Sequence, residues 1–496
     1  MPFSLRSPRV PRSRQQPWNL SKLDHLVAVA LDEVLRPADL ALPEDREADE
    51  HTWLFVAPGG ARISREVFSH LSKPALATRP DVGIFYADHA GIRGTRPVRL
   101  HCKPGFNPSL LLAQDYIGFP LIIRASIFKK LHGLRPEFGR AAWYDLCLRA
   151  HEAGIAFERI PVTLAGIPEE QAVAGTDERR AVLERQLREQ TLPFEVMPGR
   201  TAGSLRLARR FEIYPHVSLV IPTRQSRAEG GSPYIVDLLD SIARSTWPAE
   251  KINVVIGDDV EDDAVYRPGR WPFVVRRIIT RPTPEQPFNY ARKMNRLWRA
   301  VESDLLVLMN DDMVVRSPDW LEALFTFALE EDVGGVGARL LFPDNRIQHA
   351  GMIGGLFGGC AHPWFGKKAD ESTYGDWADV HRDWSVVTGA VFATRKSVLE
   401  AANGFDERFS LEFNDVDLCL RLKTLGYRIV YTPHAELIHY EKSSRGDRLP
   451  PGEEVALFLK RWRDFIGDDP AYNPQLTTRS FEVQPKPESF GIVLMS

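Results

Sequence analysis

Two acidic clusters have the residue types and placement for group-transfer chemistry. The stretch Phe413-Asn414-Asp415-Val416-Asp417-Leu418-Cys419-Leu420-Arg421 sets carboxylates at the mouth of a predicted helix, and Asn310-Asp311-Asp312 closes the apolar run from Leu305 to Met309. Together they suggest a metal and a base. Carboxylates at the end of a buried strand sit where open α/β sheets bind ligands. Oxygen ligands there favour a hard ion, Mg²⁺ or Mn²⁺, which shares phosphate oxygens of a substrate and needs no full protein cage. Taken alone, Asn310-Asp311-Asp312 also reads as a solvated turn ahead of Met313.

The elements that must position these clusters follow one pattern. Val217 to Ile221 leads into Pro222-Thr223-Arg224, and Ile252 to Ile256 leads into Gly257-Asp258-Asp259. Such short apolar runs suit strands covered on both faces. Helical patterns at Val236 to Ala243 and Asn289 to Val301 lie between them, predicting an α/β fold with a mainly parallel sheet. No Gly-rich phosphate loop follows any of these strands, which speaks against kinases and dehydrogenases.

With these residues in view, the chain resembles the inverting family-2 glycosyltransferases of the GT-A fold, in particular the two-module bacterial enzymes of surface-polysaccharide assembly. The likeness runs from Val217–Arg224 through Phe288-Asn289-Tyr290, Leu308–Asp312, Arg346-Ile347-Gln348-His349-Ala350-Gly351, Val387-Thr388-Gly389-Ala390 and Asn414–Arg421 to His439–Gly446 and Asp469–Pro474. The resemblance implies a GT-A, Rossmann-like mixed sheet and a nucleoside-diphosphate sugar donor. It places Pro222, Thr223, Arg224, Asp258, Asp259, Asn289, Asp311 and Gly389 around that donor. It also implies Mg²⁺ or Mn²⁺ held by Asp312 and His439 with Asp311, and Asp415 as the base that takes the proton of the attacking sugar hydroxyl. Asn310 stands where many relatives carry Asp, which lowers the charge of the metal motif. Asp417, in the first turn of its helix, reads as structure or acceptor contact, with structure favoured because an acid there suits the helix dipole. His349, Trp384 and Trp364 are further acceptor-side candidates, on the alternative that the aromatics are simply buried.

The N-terminal half echoes the C-terminal half. Tyr144-Asp145-Leu146-Cys147-Leu148-Arg149 repeats Val416–Arg421, and Gly118, Arg124, Gly133 and Phe138 fall on Gly389, Arg395, Gly404 and Phe409. In register, Pro58-Gly59-Gly60 replaces Asn310-Asp311-Asp312 and Trp143 replaces Asp415. Neither replacement can ligate a cation through its side chains or accept a proton. The expected organisation is a basic Pro/Arg-rich tail (1–20), a truncated, degenerate, non-catalytic copy of the fold (21–168), a helical linker (169–216) with Thr176 as N-cap and a helix to Gln190, a catalytic domain (217–480) and a C-terminal tail (481–496).

A chain of 496 residues with 44% hydrophobic content can hold two sizeable cores. The net charge of -3 predicts no general affinity for nucleic acid. No apolar run is long enough to span a bilayer and no secretion signal opens the chain, so a cytoplasmic protein with at most peripheral membrane contact is expected. Cys102, Cys147, Cys360 and Cys419 show no metal-type pairing. The expected acceptor is a glycan or lipid-linked glycan, the donor sugar a hexose or deoxyhexose with rhamnose among the options, and the oligomeric state stays open. Two other readings remain: a non-catalytic glycan-binding scaffold and, with less support, a sugar-nucleotide pyrophosphorylase, which would carry a Gly-rich basic loop where Pro222–Ser226 stand.

Overall fold

The computed structural model describes residues 26–31, 52–169, 175–227, 231–440 and 451–490. The expected basic tail, the loop 441–450 and the last apolar residues of the C-terminal tail lie outside the described residues.

The apolar runs are strands, and their burial explains their composition. In the second module β10 (Val217–Thr223), β11 (Ile252–Asp258) and β13 (Leu305–Met309) bury nearly every side chain, because helices cover both faces of the sheet. With β12 (Val274–Ile279) they form a parallel block in the order β12-β11-β10-β13. Beyond it the sheet is mixed. It continues through β20 (Val391–Arg395), β15 (Val333–Leu341), β21 (Arg428–His439) and β14 (Met313–Val315). β16 (Ile347–His349) adds to β15, and β19 (Arg382–Trp384) adds to β21. The hairpin of β17 (Ile353–Gly354) and β18 (Cys360–Ala361) stands apart.

The first module contains β1 (Leu26–Leu31), β2 (Trp53–Pro58), β3 (Arg62–Ile63), β4 (Val82–Arg93), β5 (Arg96–His101), β6 (Leu121–Arg124) and β7 (Ala156–Pro168). Its order, β1-β2-β6-β4-β7-β3, matches β10-β13-β20-β15-β21-β14 strand for strand. The senses match as well: β1 with β2 and β4 with β7 are parallel, as are β10 with β13 and β15 with β21. The pairs β2–β6, β6–β4 and β7–β3 are antiparallel, like β13–β20, β20–β15 and β21–β14. Among the described residues nothing in the first sheet corresponds to β11 and β12.

The echo reaches single side chains. In helix Ala142–Glu152 Arg149 pairs with Asp145 four residues before it and donates to the carbonyls of Leu131 and Gly133. In helix Asn414–Thr424 Arg421 pairs with Asp417 and donates to the carbonyls of Ala402 and Gly404. Each arginine thus ties its helix to the end of the preceding one, and Cys147 and Cys419 are both buried.

The connector differs from expectation. Its helix runs Thr176–Glu189, with Gly175 rather than Thr176 as N-cap, and the Glu178 carboxylate accepts the Gly175 N–H at 3.0 Å. A hairpin, β8 (Phe194–Pro198) with β9 (Leu205–Arg209), follows where an extended connector is expected. Phe194, Val196, Leu205 and Leu207 of this hairpin share one core with Trp143 and Val217, so both modules pack on the connector. The segment after Asp469 adds polar stitches. Asn473 donates to both carboxylate oxygens of the buried Asp88 at 2.9 Å and to the Lys103 carbonyl at 2.7 Å, while the Gly105 N–H donates to the Pro470 carbonyl.

Candidate active site

The ends of β10, β11 and β13 bring Thr223, Asp258, Asp259 and Asp311 to one edge of the parallel block. Pro222 is half-buried beside them and Arg224 is exposed, its Nε donating to the Ser226 hydroxyl at 2.9 Å. Asp258 is fully buried and already saturated: it accepts from Gln225, Tyr266 and Arg277 and from the Val260 N–H. Of the two acids expected beside the nucleotide, Asp258 or Asp259, Asp258 is thus the one whose oxygens are engaged by the surrounding protein. Asp259 accepts from Lys293 Nζ at 2.8 Å, and the same ammonium donates to the Thr223 carbonyl at 3.1 Å. Burial lowers the Lys293 pKa. The Thr223 hydroxyl donates to Asp311. Burial, with the Asp312 carboxylate adding repulsion, pushes the Asp311 carboxyl up to about 7.

The turn 310–312 continues from β13, and the Asn310 N–H donates to the Ala390 carbonyl at the start of β20. Asp312 stands next to β21: its carbonyl accepts the Tyr440 N–H at 2.9 Å, and its Oδ1 lies 3.1 Å from His439 Nε2. The other ring nitrogen of His439 is 2.6 Å from Gln348 Oε1. A carboxylate and an imidazole that share a site, with a second acidic residue adjacent, suit a divalent ion whose other positions go to phosphate oxygens. Among the described residues, no group of three or more His, Cys, Asp and Glu could hold a metal by itself.

Asp415 is half-buried in the first turn of its helix. Its Oδ2 accepts the Gly389 N–H at 2.8 Å and its Oδ1 the Val416 N–H at 2.8 Å. Gly389 has a steric reason to be glycine, since a Cβ there would come within 3.0 Å of the Asp415 Cβ. Because Gly389 directly precedes Ala390, the acceptor for Asn310, the Asp415 carboxylate and the 310–312 turn flank one strand end.

Five other candidate residues are engaged or buried within the fold. Asn289 is the N-cap of helix Tyr290–Arg299, its Oδ1 accepting the Arg292 N–H and its Nδ2 donating to the Glu407 carbonyl, so both ends of the amide are occupied. Trp384 is fully buried, with the Arg382 guanidinium 3.7 Å over its ring and Gly351 closely apposed, which leaves no face for a sugar; Trp364 is likewise buried. Asp417, for which structure is the favoured reading from the sequence, is fully buried and closed by Arg421, Arg461 and Trp462. His349 is fully buried as well, and instead of facing a sugar it receives the Thr388 N–H at Nε2, at 3.4 Å.

Sequence reasoning missed Lys293, Arg277 and Gln348. Lys293 has a readable signal, because it lies four residues before Leu297 on the apolar face of its helix, an unusual place for a lysine. It also missed the exposed aromatics Phe357, Phe365 and Phe481, which cluster with ring centroids 4.8 and 5.5 Å apart. Only chain folding brings Phe481 to the other two.

Residues 215–451, which include Thr223, Asp259, Asp311, Asp312, Asp415 and His439, match the family described as glycosyltransferase like family 2. The second module is a family-2 glycosyltransferase domain. Along most of its length the chain is similar to the O-antigen biosynthesis protein RfbC of Myxococcus xanthus, 31% identical over 425 residues, which is 82% of this chain and 32% of that protein. It is equally similar to the uncharacterized protein y4gI of Sinorhizobium fredii (strain NBRC 101917 / NGR234), 31% identical over 423 residues, 81% of this chain and 46% of that one. The chain thus spans less than half the length of either relative. A shorter match, 38% identical over 74 residues, joins 15% of this chain to 26% of the rhamnosyltransferase WbbL of Escherichia coli (strain K12). Among solved structures, a Pyrobaculum calidifontis mannosyltransferase in complex with GDP-Man and Mn²⁺ overlaps loosely, with a TM-score of 0.35 and 18% identity over 59% of this chain and 73% of that one. Among the described residues of the family-2 domain and its partner module, no helix is long and apolar enough to cross a membrane.

Proposed function

We propose that the family-2 domain transfers a hexose or deoxyhexose, with inversion, from a nucleoside-diphosphate sugar to a hydroxyl of a glycan acceptor during polysaccharide synthesis. The observation that supports this reading is that Asp415 and the turn bearing Asp312, which meets His439, bond to the adjacent residues Gly389 and Ala390. The names of the relatives, an O-antigen biosynthesis protein and rhamnosyltransferases, favour a bacterial glycan as acceptor and rhamnose among the donors.

In this reading Asp415 accepts the proton of the attacking hydroxyl as the new bond forms, a contribution of about 10²- to 10⁴-fold to the rate. Its two backbone N–H bonds fix the carboxylate, so little is left to organise in the transition state. Attack from the face opposite the leaving group inverts the anomeric centre. Asp312, His439 and Asp311 would hold Mg²⁺ or Mn²⁺, which would supply Lewis-acid stabilisation of the departing diphosphate. Thr223, Asp259 and Lys293 line the nucleotide side, and the Lys293 ammonium is placed to meet negative charge.

We further propose that the first module is a degenerate copy without catalysis that supports the family-2 domain through the shared core and the Asp88–Asn473 stitch. Two measurements test the main reading. Thermal-shift screening of UDP-, dTDP- and GDP-sugars with Mn²⁺ should show one base class stabilising the protein only with metal. NMR of the product should show an inverted anomeric centre, and a retained configuration would contradict the role given to Asp415.

A further inference from the structure

A three-residue strand, β16, touches both halves of the site. Ile347 to His349 pairs antiparallel with β15 and is wholly buried, Gln348 at 5% exposure and His349 at 0%. Neighbouring side chains of a strand leave on opposite faces, so one short strand can serve two sites at once. Gln348 Oε1 lies 2.6 Å from His439 Nδ1, and His349 Nε2 receives the Thr388 N–H at 3.4 Å. The Thr388 hydroxyl in turn lies 3.4 Å from Asp415 Oδ2, beside the Gly389 N–H that holds the same oxygen.

The hydrogen-bond roles follow from which atoms can donate. Gln348 Oε1 and Asp312 Oδ1 are both acceptors, one facing each ring nitrogen of His439; with its proton on Nδ1, toward Gln348, the ring would present an unprotonated Nε2 to a cation beside Asp312. His349 must keep Nε2 unprotonated to accept a backbone N–H, which puts its proton on Nδ1, 2.9 Å from His362 Nδ1. Burial holds His349 well below the ordinary imidazole pKa, consistent with a neutral ring. Neither side chain reaches the edge of the site itself.

We propose that Gln348 and His349 are positioning residues that keep the two halves of the site in register. Gln348 fixes the ring and tautomer of His439 for the cation, and His349 fixes the 388–389 turn that holds Asp415. The inference rests on the site reading given above. A hydrogen-bond partner behind a metal-binding histidine is typically worth 10- to 100-fold in metal affinity.

The test measures Mn²⁺ affinity by electron paramagnetic resonance in the presence of UDP, dTDP or GDP, alongside transfer kinetics. Gln348→Met, which keeps length and loses the acceptor, should weaken Mn²⁺ binding about 10- to 100-fold. Gln348→Glu, which keeps an acceptor at the same reach, should stay close to the parent. His349→Leu should lower kcat without changing Mn²⁺ affinity, and His349→Gln should recover part of the loss. Parent-like Mn²⁺ binding in Gln348→Met, or equal losses in Gln348→Met and Gln348→Glu, would overturn the role of Gln348. Equal kcat in His349→Leu and His349→Gln would overturn that of His349. If Gln348→Met does not fold, weakened Mn²⁺ binding in Gln348→Glu is decisive against the inference and parent-like binding supports it. Unchanged Mn²⁺ binding in His439→Ala and Asp312→Ala would instead reject the underlying site.

Discussion

The two modules keep the same scaffold contacts and differ at the chemical ones. Asp145–Arg149 and Asp417–Arg421 are buried i,i+4 pairs that tie equivalent helices to equivalent carbonyls. Two residues upstream of each acid the likeness ends, with Trp143 in one module and Asp415 in the other. Trp143 packs between Phe119 and Phe128 in a core, whereas Asp415 is half-buried and held by backbone N–H groups. Where Asn310-Asp311-Asp312 projects acids beside His439, Pro58-Gly59-Gly60 makes a plain turn closed by Ala61 N–H to the Pro58 carbonyl. Contacts that hold a helix in place recur in both modules, while the acids at 311, 312 and 415 have Gly59, Gly60 and Trp143 as their counterparts.

Exchanging the decisive residues is the strongest way to break this contrast. Asp415→Trp should remove transfer altogether, and Trp143→Asp should create none while destabilising the fold by about 3–5 kcal/mol, as for loss of a large core side chain; both are read by transfer assays and thermal unfolding. Any transfer attributable to the first module would end the contrast. Next in size, Asp145→Ala and Asp417→Ala should each cost about 3–5 kcal/mol, because each leaves a partly buried arginine without its partner. Denaturant unfolding checks this, and an Asp417→Ala protein that folds normally but binds acceptor poorly would return that residue to the site. Trp384→Ala should lower stability by about 3–5 kcal/mol, with no change in acceptor KM in whatever protein remains folded. The smallest effect is expected from Asn310→Asp, which adds a carboxylate beside Asp311 and Asp312 and should tighten Mn²⁺ binding modestly; weaker binding would show that position 310 does not face the cation.

Much of the scaffold was legible because burial writes itself into composition. The runs Val217–Ile221, Ile252–Ile256 and Leu305–Met309 are continuous because both faces of their sheet are covered. The internal echo was legible because the Asp–Arg and Gly positions that tie the helices recur in order. The mixed sense of the sheet beyond β13 was legible only through the family resemblance, since pairing between β13, β20 and β15 depends on long connections that leave no local mark. In the site, acids at strand ends and at a helix start could be read from residue type. What each already bonds to could not: Asp258 meets Arg277 and Tyr266, and Asn289 meets its own helix, through contacts set only by the folded chain. The tryptophans misled for the same reason. An indole suits a sugar face or a core equally well, and Trp384 lies under Arg382.

In the proposed reaction a cation site and a proton acceptor, both in the family-2 domain, act on one sugar carbon. Mn²⁺-dependent nucleotide binding and sugar transfer, measured together in Asp312→Ala and Asp415→Asn, put this to the test. Asp312→Ala should lose both, while Asp415→Asn should bind nucleotide and metal as the parent does and transfer nothing measurable. Full transfer by Asp415→Asn, or an unchanged metal response in Asp312→Ala, would contradict it.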